Sequence, residues 1–234
     1  MALAAKPDRM FTHSRLQYDA ALRRHMISVY NWLIAGLLLS AVTAYVSAST
    51  GLAAAITDSS TLSLACAGTP IAVALLPKGV SDRLSASGAG LMLCLFAGSM
   101  GVALSTMLQD LSGASLAATF LATAASLGTL SLFGYTTRHD LSRAGSLILK
   151  GASGLLIALL MNLLVGSPPV HTAISIAGVL LFTALTAFDT QRIKIGYLSS
   201  TGYEPRSPVY AALNLYLDFL SLFLFVVRLI VGRT

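Results

Sequence analysis

The chain has 234 residues, of which 56% are hydrophobic and 10% charged, with a formal net charge of +6. Soluble domains carry roughly a quarter charged residues, so this composition excludes a water-soluble globule and leaves no room for a separate soluble domain. The positive charge has a topological explanation, given below, and gives no reason to expect a nucleic-acid partner.

About 20 consecutive apolar residues cross a bilayer core, and seven stretches come close to that length. In chain order, the predicted spans are residues 29–48, 61–76, 87–108, 114–133, 147–165, 170–188 and 209–230, with six spans and a re-entrant seventh as the alternative. The second is the shortest and is interrupted by Pro70, which reads as a kinked span. The domain organisation expected is a cytoplasmic amino-terminal tail over 1–28, one seven-helix membrane domain over 29–230 and a short tail over 231–234. The first 28 residues are polar and charged, and the apolar run that follows is too long for the core of a signal peptide, so an uncleaved first span is expected.

Lys and Arg alternate from loop to loop. Lys6, Arg9, Arg15, Arg23 and Arg24 precede the first span, Lys78 and Arg83 follow the second, Arg138 and Arg143 the fourth, and Arg192, Lys194 and Arg206 the sixth. The connections after spans one, three and five carry none. Basic residues concentrate on the cytoplasmic side, so the amino terminus is expected inside and the carboxyl terminus outside, with Arg228 and Arg233 snorkelling to the outer interface.

Two further patterns concern packing. Ala97, Gly101 and Ser105 in the third span and Ala114, Ala118 and Ala122 in the fourth recur every four residues, spacing that lets helix backbones approach closely in lipid. Cys66 and Cys94 lie in different spans at different depths and read as two buried thiols, not a disulfide. His13, His25, His139 and His171 are scattered, without metal-ligand spacing.

The carboxylates carry the functional signal. Seven of the nine Asp and Glu residues fall in tails or loops; Asp189 closes the sixth span in "LTAFDTQ", and Asp218 lies inside the seventh. Asp218 sits about nine residues, or roughly 13 Å, below the cytoplasmic surface, so the two fall in the same half of the membrane. Asn214 and Ser221 lie about one turn either side of Asp218 and form a polar stripe with it. An intramembrane carboxylate faces the protein interior and by default marks an ion or proton site. Two such groups close together in a low dielectric tend to share a proton. Asp189, Asp218, Asn214 and Ser221 offer fewer than the six to eight oxygens of a good calcium site, which fits weak, water-completed passage better than storage. No other metal and no cofactor is expected.

Other classes lack their requirements. A retinal-type photoreceptor needs a lysine in its last span, and there is none. An intramembrane aspartyl protease needs a GxGD-like motif, and Gly flanks neither aspartate. A secondary transporter built from inverted repeats should show internal repetition, and none is visible. The chain is therefore expected not to be an enzyme.

"FGYTTRHDLS", "LTAFDTQRIK" and "ALNLYLDFLSLFLFVVRLIVGR", in that order, together with "YNWLIAGLLLSA" near the amino terminus, resemble the Bax inhibitor-1 family, the transmembrane Bax-inhibitor-motif proteins, and most closely its bacterial inner-membrane branch. The resemblance implies an all-α integral membrane protein in which the last of seven helices is central and wrapped by the other six. It also implies a pH-sensitive calcium leak gated by an aspartate pair, whose positions match Asp189 and Asp218. The implied partners are the lipid bilayer, calcium and protons. The rival reading is a non-conducting regulator that binds a membrane-bound ATP-dependent protease or another membrane partner. Some members carry a basic residue in the second helix that latches an aspartate, and residues 61–76 contain no Lys, Arg or His.

The charge alternation makes a direct prediction. A reporter active only outside the cytoplasm, fused after Thr234, should be active; a reporter active only inside should be silent there. The reverse result would mean that the last helix does not cross.

Overall fold

The computed structural model describes residues 7–59, 61, 86–106, 113–137, 139–199 and 207–231. The predicted second span, with Cys66, falls outside them apart from Thr61. Seven helices and no strands are found among the described residues: α1 (Pro7–Ser49), α2 (Leu52–Asp58), α3 (Ala86–Ser105), α4 (Gly113–Thr136), α5 (Ser142–Val165), α6 (Pro168–Ser199) and α7 (Pro208–Val231). Segments of α1, α3, α4, α6 and α7 are long and apolar enough to cross a membrane, and α5 contains a shorter apolar stretch, Leu147–Asn162.

Local chemistry sets the helix ends. Pro168 and Pro208 begin α6 and α7, where the proline ring is pre-shaped for the first turn and its missing N–H costs nothing. Gly166 ends α5 in the left-handed region (φ 66°), with its N–H donating to the Asn162 carbonyl oxygen at 2.8 Å. An α5–α6 connection of two residues follows from that glycine.

Two elements depart from their predicted limits. Helix α1 begins at Pro7, so residues 7–28 are helical, and Leu22 and Met26 are already buried. Helix α6 does not stop at Asp189 but continues for ten more residues to Ser199. Hydropathy falls after Phe188, yet "DTQRIKI" contains no proline or glycine, so nothing in it breaks the helix. Asp189 is therefore an interior helical residue, not a helix end.

Helix α7 is the keel. It packs against α1 and α3 on one side and α4 and α6 on the other, while α5 packs chiefly on α6 as an outer helix. Its buried residues include Ala212, Leu215, Tyr216, Phe219, Leu220, Phe223 and Val227. Two residues along a helix turn the side chain through about 200°, and α7 uses this. Tyr216 faces α1 and α3, where its ring meets Phe96 edge-on at 5.6 Å and its hydroxyl lies 2.6 Å from Ser40 Oγ. Asp218 and Phe225, seven residues apart, face α6, where Phe225 stacks on Phe182 at 5.7 Å.

Small residues govern the approach of the helices. The Ala97–Gly101–Ser105 stripe faces α1: a methyl group at Gly101 would run into the backbone of Ser40. The corresponding expectation for α4 is corrected. Ala118 and Ala122 are exposed, and the inward stripe is Thr119, Thr123, Leu127 and Ser131. The two threonines turn their hydroxyls onto their own helix, on the carbonyl oxygens four residues back at 2.7 and 2.8 Å, so they pack as small apolar residues with no unmet donor. Cys94, expected buried, lies on the outer face of α3.

Gly134 of α4 and Ala187 of α6 touch backbone to backbone, because a Cβ on Gly134 would overlap the Ala187 carbonyl group. Gly134→Ala should destabilise the protein by about 1–3 kcal/mol, the usual cost of overpacking. Gly98→Ala, where a methyl meets nothing, should be neutral or stabilising by up to about 1 kcal/mol. Thermal unfolding of the two variants in detergent, side by side, checks this.

Candidate functional site

Asp218 lies ten residues into α7 and is only 3% exposed. Its Oδ2 atom is sealed in and has no hydrogen-bond partner among the described residues. Asp189 on α6 is half-buried and close enough to act electrostatically on Asp218. The carboxylates singled out from the sequence thus lie within electrostatic range of each other across the α6–α7 interface. Each is ten residues from the end of its helix at the α6–α7 connection, roughly 15 Å along the axis, which places them at matching depth.

Asn214 and Ser221 behave differently. Asn214 is exposed and Ser221 half-buried, and neither hydrogen-bonds Asp218. The polar stripe exists on the helix surface, but burial divides it: Asp218 turns inward and Asn214 lies at the rim.

A charge that the sequence reading did not assign to the site stands beside it. Arg192, exposed and three residues after Asp189 on the same helix, acts electrostatically on that carboxylate. Residues three apart are neighbours on a helix surface, so the spacing in "DTQR" was a readable signal once α6 was known to continue. Asp189 therefore stands between an exposed cation and a buried carboxylate.

Three sets of hydrogen bonds fix this part of α6. Thr190 Oγ1 donates to the Thr186 carbonyl at 2.9 Å and lies 2.8 Å from Ser131 Oγ of α4, which also meets the Tyr30 hydroxyl of α1. Each hydroxyl has one proton, so the order is set from the carbonyl end: Tyr30 donates to Ser131, Ser131 to Thr190 and Thr190 to the backbone. A chain that ends on a carbonyl cannot pass a proton onward; its role is to tie α1, α4 and α6 together one residue from Asp189.

Gln191 holds the α4–α5 connection. Its Nε2 donates to the His139 carbonyl at 2.7 Å, and its Oε1 accepts from the Leu141 N–H at 2.8 Å. Lys194 Nζ then donates to the Tyr135 carbonyl at 2.6 Å, with the ammonium 5.2 Å from the Tyr135 ring centroid. On the α5 side, a methyl at Gly145 would strike the Phe188 ring. The stretch "FGYTTRHDLS" and the stretch "LTAFDTQRIK" are therefore two halves of one contact.

An all-helical chain with five helices long and apolar enough to cross a membrane among its described residues, two of them carrying carboxylates within electrostatic range of each other, is an integral membrane protein. A family model described as "Inhibitor of apoptosis-promoting Bax1" matches residues 22–234, and the chain belongs to that family. It is similar to an uncharacterized protein of Caulobacter vibrioides, at 33% identity over 93% of this chain and 92% of the relative. It is likewise similar to a protein of Rickettsia prowazekii, at 33% over 95% of each chain. The inner membrane protein YbhL of Escherichia coli is 32% identical over 94% of this chain and 96% of its own length.

Removal of the Gln191 side chain tests the clamp. Gln191→Ala deletes two hydrogen bonds to loop backbone and should cost about 1–3 kcal/mol. Exchange of the Leu141 amide hydrogen should accelerate at least tenfold, which corresponds to about 1.4 kcal/mol, while amides in the centre of α7 keep their protection.

Proposed function

We propose that the protein is a proton-gated cation leak of the bacterial inner membrane, with calcium as the conducted ion and Asp189 and Asp218 as the gate. The observation that carries this reading is Asp218 itself: a carboxylate mid-way along the central helix, 3% exposed, with one oxygen lacking a partner among the described residues and a second carboxylate within electrostatic range. A purely structural carboxylate in lipid would be expected to have its oxygens bonded. An incompletely satisfied acid pair is the arrangement that a proton or a cation completes.

The pair divides the work by position. Asp189, half-buried beside the exposed Arg192, is the member that meets water and arriving cations. Asp218 is the inner member and holds the seam between α6 and α7 while a proton is shared. Loss of that proton leaves two negative charges side by side, which separates the helices or draws in a divalent cation. The cytoplasmic placement of the pair rests on the Lys/Arg alternation, and the inner-membrane residence also on the similarity to YbhL.

Calcium flux into proteoliposomes across a range of pH tests the reading. Asp218→Asn keeps the shape of the side chain and removes its charge, so the bundle should fold and flux should lose its wild-type pH dependence. Asp189→Asn should do much the same, and the double variant should add little, because residues acting as one unit are non-additive. An unchanged rate and pH profile in Asp218→Asn would reduce that residue to a packing group. If the wild-type protein passes no cation at any pH, the non-conducting regulator is the better reading.

A further inference from the structure

At the end of the bundle remote from the aspartates lies a second polar feature, between the end of α5, the start of α6 and the end of α7. It is a cavity of about 510 Å³ whose polar lining comes from Asn162, Ser167, His171, Thr172 and Arg228. We propose that this cavity binds the phosphate of a membrane phospholipid whose headgroup carries a further hydroxyl or ammonium donor.

Two independent observations point to such a ligand. The first is the cation. Arg228 is half-buried, and its guanidinium lies over the Phe225 ring, with the guanidinium carbon 5.7 Å from the ring centroid. It has no carboxylate partner among the described residues. A guanidinium held by a ring on one side keeps its planar fork of donors free for a phosphate. The second is Asn162, which is 8% exposed and lines the cavity, and whose buried side-chain oxygen has no hydrogen-bond partner among the described residues. A buried carbonyl oxygen without a donor is costly, and rotation of the Asn162 amide toward the cavity it lines lets that oxygen accept what Arg228 cannot satisfy while bound to phosphate: the terminal donor of a headgroup. The α6 amino terminus adds little, because its first two residues are prolines and the His171 N–H is already spent on the Ser167 carbonyl at 3.0 Å. Charge recognition therefore falls on Arg228, with His171 beside it.

Position selects a lipid over a soluble phosphate. Arg228 lies three residues from the end of α7, about 5 Å along its axis, and Gly166 and Ser167 form the turn between α5 and α6. That is headgroup depth for helices that cross the bilayer. Leu159 and Leu160 line the same cavity, and Leu160 and Leu164 are exposed on the outer face of α5, which gives acyl chains an apolar track leading away from the polar pocket.

The test uses the full-length protein, purified and stripped of lipid in detergent, with phosphatidylglycerol, phosphatidylcholine and inorganic phosphate as separate probes. Bound lipid is counted by native mass spectrometry and affinity is read from the shift in thermal midpoint. Phosphatidylglycerol should bind, and phosphatidylcholine, which has the phosphate but no donor beyond it, should bind more weakly. Arg228→Gln should weaken phosphatidylglycerol binding roughly tenfold, the worth of one charge-assisted hydrogen-bonded contact. Asn162→Leu fills similar space without the acceptor, and should erase the preference for phosphatidylglycerol over phosphatidylcholine while leaving phosphatidylcholine binding in place. Equal phosphatidylglycerol binding by wild type and Arg228→Gln would overturn the proposal, as would a headgroup preference that survives Asn162→Leu. Inorganic phosphate that saturates the site and displaces the lipid from it without itself being displaced would overturn the lipid source and leave a soluble phosphate in its place.

Discussion

The contact on which the acidic site depends is the one between Gly134 and the Ala187 carbonyl group. It brings α4 and α6 together at backbone distance, and the next residues of α6 inherit their positions from it. Phe188 fills the space left by Gly145 of α5, Asp189 comes within electrostatic range of Asp218, Thr190 joins the hydroxyl chain to Ser131 and Tyr30, and Gln191 grips the α4–α5 connection. Five consecutive residues thus point to five destinations. A shift of α6 by even one methyl group at Gly134 would move all of them together.

The rest of the bundle follows from having lipid as solvent. Hydrocarbon gives helices no hydrophobic reason to associate, so small side chains, close packing and hydrogen bonds must hold them. The inward faces accordingly carry Ser40, Thr119, Thr123, Ser131, Ser175, Thr186 and Thr190, all buried, and most of these hydroxyls bond their own helix backbone. The outward faces carry Leu38, Leu91, Leu95, Leu121, Leu132 and Leu164, all exposed. In water that surface would aggregate; in a bilayer it is the solvated side. Aromatic residues appear where α7 needs bulk, with Phe120 meeting Phe219 edge-on at 5.1 Å and Phe182 stacking on Phe225.

Some of this was legible in the residues and some was not, for identifiable reasons. Long apolar runs report spans well, and α3, α4, α5 and α7 begin and end within a few residues of expectation. Asp189 and Asp218 stood out because a carboxylate in an apolar run is costly whatever its neighbours are. The end of α6 was misjudged because hydropathy measures affinity for lipid, not helix formation, and "DTQRIKI" remains helical after it stops being apolar. Ala118 and Ala122 were assigned to an interface by spacing alone, yet periodicity identifies a stripe without saying which way it faces, and the threonine stripe one position on took the interior. Asn214 was grouped with Asp218 by helical geometry, and a 40° offset was enough to leave it at the rim. Gln191 acts on the backbone of the α4–α5 connection and Lys194 on that of the last turn of α4, 50 to 59 residues away, which no local pattern encodes.

The lengths of α1 and α6 carry a mechanical consequence. At 1.5 Å per residue, α1 is about 65 Å long and α6 about 48 Å, against a hydrocarbon core of about 30 Å. Both are longer than that core is thick, and they meet beyond the acidic pair, where the His25 and Tyr197 rings lie 4.7 Å apart. The far end of α6 is thus a rigid handle, continuous with the helix that carries Asp189 and latched to a second rod. Torque applied to that handle from the aqueous side would travel along one continuous helix, through Gly196, to Asp189.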